Sequence, residues 1–282
     1  MKCAWQAYLN LLPVWMRQCV DRSTRDTLLE IRLRLNKKPE LITRNGTLYL
    51  ERFVSGDDLR FCVNIASHYS PWAATTSAQG YITAPGGHRI GMCGAAISNN
   101  GTMTGLRLLT SLCLRVSRDF TGISANTAHA NESVLIIGKP GSGKTTLLRD
   151  LLRQRSDVYN ETIAVIDERE EIFPSTNEGF CFPTGRHVDI MAGCRKEQGI
   201  IAALRSMNPD VIAVDEITAE DDCNALVHAG WCGVRLIATA HAGCREDLFC
   251  RPMYRPIIES KLFDTLIIMQ QDKSWQSERM YL

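Results

Sequence analysis

Three short runs of this 282-residue chain hold the residue types that phosphate chemistry needs. The first is Gly138-Lys139-Pro140-Gly141-Ser142-Gly143-Lys144-Thr145, followed by Thr146. Its spacing is G-x4-G-K-[ST], a loop whose glycines let successive backbone N–H groups turn toward one anion. Lys144 adds a mobile positive charge for the β- and γ-phosphates, and the Thr145 hydroxyl is a ligand for Mg2+. The helix start behind the loop contributes its positive dipole end. Residues 138–146 therefore predict a site for ATP or GTP with Mg2+. The bland alternative is a glycine-rich turn that holds nothing. Val134-Leu135-Ile136-Ile137 in front and Leu147, Leu148, Leu151 and Leu152 behind argue against it, because they supply the strand and helix such a loop requires.

The second run is Val211-Ile212-Ala213-Val214-Asp215-Glu216. Alone, an apolar strand ending in acids is often only a strand meeting its solvated loop. On a parallel sheet, however, the carboxyl ends of strands face the ligand crevice. Asp215 is expected to hold the hydration shell of Mg2+, and Glu216 either to polarise the attacking water or to help organise the site. The third run, Ile163-Ala164-Val165-Ile166-Asp167-Glu168-Arg169-Glu170-Glu171, ends in five consecutive charges, which usually mark a solvated loop. Lying between the phosphate loop and the Asp215 strand, it is also a place for a water-activating carboxylate. Glu168 is the first candidate there and Asp167 the second. His241 closes one more apolar strand, Ile237-Ala238-Thr239-Ala240. Two readings stand for it, a structural hydrogen-bond partner and a γ-phosphate sensor.

These groups need a frame. In the second half, strand-like runs at 134–137, 162–166, 211–214, 236–240 and 266–269 alternate with helices starting near Lys144 and Ala219. The latter is opened by Thr218-x-x-Asp221, a capping-box-like pair. Short apolar strands separated by helices predict a parallel sheet covered on both faces, an α/β domain. The first half reads differently. Residues 29–35 alternate as a half-buried strand, and Asn45-Gly46 predicts a hairpin with a type I′ turn. Ser55-Gly56-Asp57-Asp58 opens a helix toward Ser67. From Gly80 to Arg118 a meander is expected, with turns at Pro85-Gly86-Gly87 and Asn99-Asn100-Gly101 and a strand at 112–116. This half is an α+β domain. The expected division is 1–125 and 126–282.

Charge follows the same division. Residues 1–130 hold 15 basic and 8 acidic side chains, a net of +7, whereas 131–282 hold 17 and 23, a net of −6. The whole chain carries +1, so no global field points to nucleic acid. The basic excess of the first half is spread without aromatic interleaving, and nucleic acid is not the expected partner. Eleven cysteines in a chain with no secretory leader pattern suggest reduced thiols in the cytoplasm. No apolar run approaches the ~18 residues of a spanning helix. His228-x3-Cys232 with His241-x2-Cys244 is a poor zinc pattern, because the pairs flank an apolar strand and lack cysteine knuckles.

The chain resembles the secretion-type P-loop ATPases and, among them, the stage III sporulation protein AA family of endospore-forming bacteria. The resemblance spans nearly the whole sequence: GYIT, GGHRIGMCG, LRVSR, GKPGSGKTTLLRD, VIDEREEI, ALRSMNPDVIAVDEI, ATAHA, and a closing RP and FDTLIIM. ALRSMNPDVIAVDEI is similar to the arginine-rich helix, turn and acidic strand end of type II and type IV secretion motors. VIDEREEI is similar to their aspartate box and ATAHA to their histidine box. The resemblance implies a RecA-like P-loop core behind a smaller N-terminal domain, and a homo-oligomer, a hexameric ring with ATP between subunits. It further implies arginines supplied by the N-terminal domain, Arg115 of LRVS first and Arg89 second. A partner follows too: an integral-membrane channel or platform, met by a cytoplasmic protein at the membrane on the mother-cell side. Two departures stand out. Asp215-Glu216 replaces the usual Gly-Glu, and the longer C-terminal domain of many secretion motors is missing.

Two other enzymes fit the loop equally well, a small-molecule P-loop kinase and a nucleic-acid-dependent ATPase. The acids at 167–171 and the carboxylate after Asp215 favour water as acceptor over a second substrate. An ATP-gated assembly scaffold is the non-enzymatic reading.

Overall fold

The computed structural model describes residues 3–67, 80–99, 101–125, 131–176 and 179–281. By compactness the chain divides into residues 1–119 with 174–182, and residues 120–173 with 183–282. The sequence places the division at 125/126. Residues 122–124 are fastened to the second unit by Asp150, whose carboxylate accepts from the N–H groups of Gly122 (3.0 Å) and Ser124 (2.8 Å).

The N-terminal unit begins with three short helices, α1 (Trp5–Asn10), α2 (Val14–Arg17) and α3 (Arg22–Thr27). Strands β1 (Leu28–Arg34), β2 (Glu40–Thr43) and β3 (Gly46–Tyr49) lead to α4 (Gly56–Ala66), and β4 (Tyr81–Ala84), β5 (His88–Asn99) and β6 (Thr102–Arg115) follow. All six strands form one antiparallel sheet in the order β3-β2-β1-β6-β5-β4. Alternation sends Ile31, Leu33, Ile90, Leu112 and Leu114 into a core shared with Tyr8 of α1, Leu59 of α4, and Leu11 and Leu12 of the turn between α1 and α2. Ser55 and Asp58 cap α4 reciprocally, as their spacing predicts. The hairpin at Asn45-Gly46 forms, but with a different turn. Thr43 pairs with Gly46, so the loop is Arg44-Asn45, and of Asn45 and Gly46 only Gly46 has a positive φ, 132°. The Thr43 hydroxyl decides this by donating to Gly46 O (2.7 Å) and accepting from Asn45 N (3.1 Å). The expected turn residue Asn100 and part of the segment between Gly122 and Glu132 lie outside the described residues.

In the C-terminal unit, β7 (Val134–Gly138) runs through the phosphate loop into α5 (Lys144–Tyr159) and then β8 (Ile163–Asp167). The short hairpin β9 (Ser175–Thr176) and β10 (Gly179–Phe180) groups with the first unit. Next come β11 (Val188–Ala192), α6 (Lys196–Ser206), β12 (Val211–Val214), α7 (Glu220–Trp231), β13 (Arg235–Ala240), α8 (Arg245–Cys250), α9 (Arg255–Glu259), β14 (Thr265–Met269) and β15 (Trp275–Arg279). The sheet order is β11-β8-β12-β13-β7-β14-β15, with every neighbouring pair parallel except β14–β15. Both faces of the sheet are covered, which explains its unbroken apolar strands. Val134 and Ile136 pack with Leu147, Leu148, Leu151 and Leu152 of α5, whereas Leu135 and Ile137 pack on the face that also holds Ile200 of α6 and Leu226 of α7. At the start of α7 the cap differs from Thr218-x-x-Asp221. Asp222 takes that role, accepting from Thr218 N (2.9 Å) and Ala219 N (3.2 Å), because the helix begins one residue later than that pair requires.

Candidate active site

The phosphate loop lies at the carboxyl end of β7. Gly138 is the last residue of the strand, Lys139 to Gly143 form the loop, and Lys144, Thr145 and Thr146 open α5. Gly143, with φ 102°, makes the reversal into the helix in a region L-residues avoid. A Cβ on Gly138 would stand 2.6 Å from Ser142 Oγ and 3.0 Å from Met269 O, so only glycine lets the strand pass there. Ser142 Oγ is buried with no hydrogen-bond partner among the described residues, which suits a loop that closes on an added polar group. Lys144 spends its ammonium on Gly138 O (2.9 Å), Lys139 O (3.3 Å) and His241 Nδ1 (3.1 Å). Burial lowers its pKa, offset in part by the charges of Asp215 and Glu216.

The parallel sheet brings the acids to the same edge. Asp215 follows β12, Glu168 follows β8 and His241 follows β13. The Thr145 hydroxyl donates to Asp215 Oδ2 at 2.7 Å, and Thr239 Oγ1 donates to the other carboxylate oxygen. Thr239 also accepts the Glu216 N–H (2.8 Å), which holds Glu216 at φ 50°, a left-handed conformation uncommon for its type. Oε1 of Glu216 then meets His241 Nε2 (3.0 Å) and Oε2 meets Arg169 (3.0 Å). With Nδ1 of His241 facing an ammonium donor, the ring proton belongs on Nε2. Arg169, Glu216, His241 and Lys144 thus form one connected line.

Glu168 is paired with Lys196, 2.6 Å away, whose side chain is 3% exposed and also lies 3.7 Å from Asp222. Asp167 is turned inward. Its two oxygens accept the N–H groups of Glu171 (2.8 Å), Ile172 (3.0 Å) and Phe173 (2.8 Å), which folds the charged run into a tight turn. Burial pushes its carboxyl up to about 7 against those donors. A cavity of about 10 Å3, at the lower limit for admitting one water, is lined by residues that include Asp167, Glu168, Lys196, Asp215 and Glu216. Hydroxyl and carboxylate oxygens in the Thr145–Asp215 pair are the hard donors that Mg2+ prefers, and Mg2+ usually keeps several waters, so the pair fits that ion.

Arg89 and Arg115 belong to the N-terminal unit, where they are direct partners across β5 and β6. Arg89 lies over the Tyr81 ring (3.9 Å), and the Arg115 side chain, 62% exposed, comes within 4.0 Å of Glu30. Arg169, Lys196 and Thr239 were not singled out by their types in sequence. Only Lys196 leaves a sequence signal, a basic residue at the buried start of the helix of Ile200 and Ala203.

The fold is that of the RecA-like secretion ATPases. It matches the ATPase DotB of Legionella pneumophila over 95% of this chain and 80% of that one, with TM-score 0.60 and 16% identity. The pilus retraction motor PilT with bound ADP matches over 88% and 76%, with TM-score 0.61 and 15% identity. Both likenesses concern the fold alone. The chain belongs to the family described as "Sporulation stage III, protein AA", whose profile matches residues 4–279. It is 34% identical over 277 residues to Stage III sporulation protein AA of Bacillus subtilis (strain 168), covering 94% of this chain and 90% of that protein.

Proposed function

We propose that the protein is a Mg2+-dependent ATPase of the secretion-motor type that drives or assembles a membrane channel complex during endospore formation. The 2.7 Å contact between Thr145 and Asp215 carries this reading, because it joins the phosphate loop to the acidic strand end at the place where a nucleotide-bound Mg2+ is needed. Thr145 and Asp215 would hold Mg2+ there, and the ion would supply neutralisation of charge on the phosphoryl oxygens. Lys144 exchanges its bond to His241 for a phosphate oxygen. Glu216, held on both oxygens by His241 and Arg169, orients the attacking water and accepts its proton. Glu168 lines the same small cavity as the second carboxylate, and Asp167 shapes its wall. His241 couples the occupancy of Lys144 to the position of Glu216.

The family name supports the sporulation role. The ring, a hexamer with Arg115 and Arg89 offered to a neighbour's nucleotide, follows from the resemblance of the sequence motifs to those of the secretion motors. A location against the mother-cell membrane beneath an integral-membrane platform follows from that reading. The test is phosphate release from ATP with and without Mg2+, with single-stranded DNA and with small-molecule acceptors, beside sedimentation of the protein. Slow Mg2+-dependent hydrolysis by a ring, indifferent to DNA and acceptors, is the expected result. Phosphate transfer to an acceptor instead of water would identify a kinase and overturn the proposal.

A further inference from the structure

The phosphate loop is gripped from a side that the mechanism does not use. β14 lies beside β7 on the flank opposite β13 and β12, and it ends in the turn 270–274 before β15. That turn is closed by Gln270 N on Ser274 O (2.9 Å) and Lys273 N on Gln270 O (3.1 Å), with Lys273 at φ 74°. Its side chains reach back to the loop. Lys273 Nζ donates to Gly141 O, and Gln271 Nε2 lies 3.4 Å from Pro140 O. The Lys273 stem runs along the loop's outer flank, since a Cβ placed on Gly143 would stand 3.6 Å from Lys273 Cδ.

The two flanks differ in chemistry. Thr145, Asp215, Glu216 and His241 gather on the β12–β13 side, so the terminal phosphate and its Mg2+ belong there. On that placement the β14 side, past Lys273, is the flank left for the nucleoside. An alkyl stem anchored at its charged end offers a flat, apolar strip to a nucleobase or ribose while its ammonium stays hydrated or bonded. We propose that the 270–274 turn is the nucleoside-facing wall of the site, with Lys273 the residue that positions the base and ribose. The inference rests on the nucleotide reading given above, and it adds which residues select a nucleotide over bare polyphosphate.

Calorimetric titration of Mg-ADP and of Mg-tripolyphosphate into the wild type, Lys273→Ala and Lys273→Met tests it. Lys273 is exposed in a surface turn, and equal thermal melting of the three proteins checks their folding. Lys273→Ala is expected to weaken ADP about 10-fold, an effect of about 1.4 kcal/mol, and tripolyphosphate by no more than about twofold. Lys273→Met keeps the stem and should recover part of the ADP affinity. Equal losses for both ligands would reduce Lys273 to a general attraction for anions and overturn the assignment, as would unchanged ADP binding. Failure of the wild type to bind ADP would instead remove the nucleotide reading itself.

Discussion

Lys144 and His241 are in direct contact, Nζ to Nδ1 at 3.1 Å, across the carboxyl ends of neighbouring strands β7 and β13. With Gly138 O and Lys139 O also bonded, all three ammonium protons are committed before any phosphate is present. On the proposed function, nucleotide entry would exchange one of these bonds, and His241 is the side-chain partner among the three. Lys144→Ala removes the charge and the switch together. The expected outcome is loss of Mg-ATP binding by calorimetry with a melting temperature near that of the wild type. Retained micromolar affinity would refute the assignment of the loop.

The two glutamates differ in how they are held. Glu216 is held on its two oxygens by His241 and the exposed Arg169, whereas Glu168 is paired with the buried Lys196. Replacement by Gln keeps shape and removes the carboxylate. Glu216→Gln should bind ATP normally and slow single-turnover hydrolysis by about 10²–10⁴-fold, the range of general-base loss. Glu168→Gln should be slower than wild type by a smaller factor. The opposite ranking would move the base to Glu168.

How much of this was legible in sequence depends on whether the signal was local. The phosphate loop, Asp215-Glu216 and the strand ends were, because apolar strands buried on both faces read as continuous runs. β11 was not, since Val188-Asp189-Ile190-Met191-Ala192 is a half-exposed edge strand whose only marker is weak alternation. β15, Trp-Gln-Ser-Glu-Arg, is polar for the same reason. The charged run 167–171 conveyed that something acidic stands there but not the division of labour. Backbone N–H groups four to six residues ahead turn Asp167 inward, and composition does not encode that fold of the loop. Lys196 and Arg169 meet their partners 28 and 47 residues away, contacts that only the sheet order creates.

A pH dependence should appear in the N-terminal unit. His88 is fully buried, with Nδ1 accepting the Ser117 N–H (3.1 Å) and Nε2 donating to Ala4 O (3.1 Å). Protonating Nδ1 would break the first bond. Burial pushes the pKa down from 6.5 to about 4. Between those values the unfolded chain binds the extra proton and the folded chain does not. Stability is therefore intact above 6.5 and falls as the pH drops toward 4, by at most about 3 kcal/mol. Urea unfolding at pH 7 and pH 4.5 should show a larger loss for the wild type than for His88→Gln. Equal losses would remove His88 as the cause.

The last prediction concerns Arg115 and Arg89, side by side on the sheet of the N-terminal unit. As an exposed strand arginine near Glu30, Arg115 needs no function, and its removal should leave folding intact. If it reaches the nucleotide of a neighbouring subunit, however, its planar guanidinium grips two phosphate oxygens, and such an arginine supplied in trans is worth about 10³–10⁵ in rate. Arg115→Ala should then cripple hydrolysis while ADP binding persists, with Arg89→Ala the weaker variant because Arg89 is stacked on Tyr81. Mixing Arg115→Ala with Lys144→Ala protein separates action in trans from action within one chain. At some mixed interfaces the intact loop of the first variant meets the intact arginine of the second, so activity partly returns. Two inactive proteins that stay inactive, at concentrations where rings form and subunits exchange, would place the arginine outside the neighbour's site.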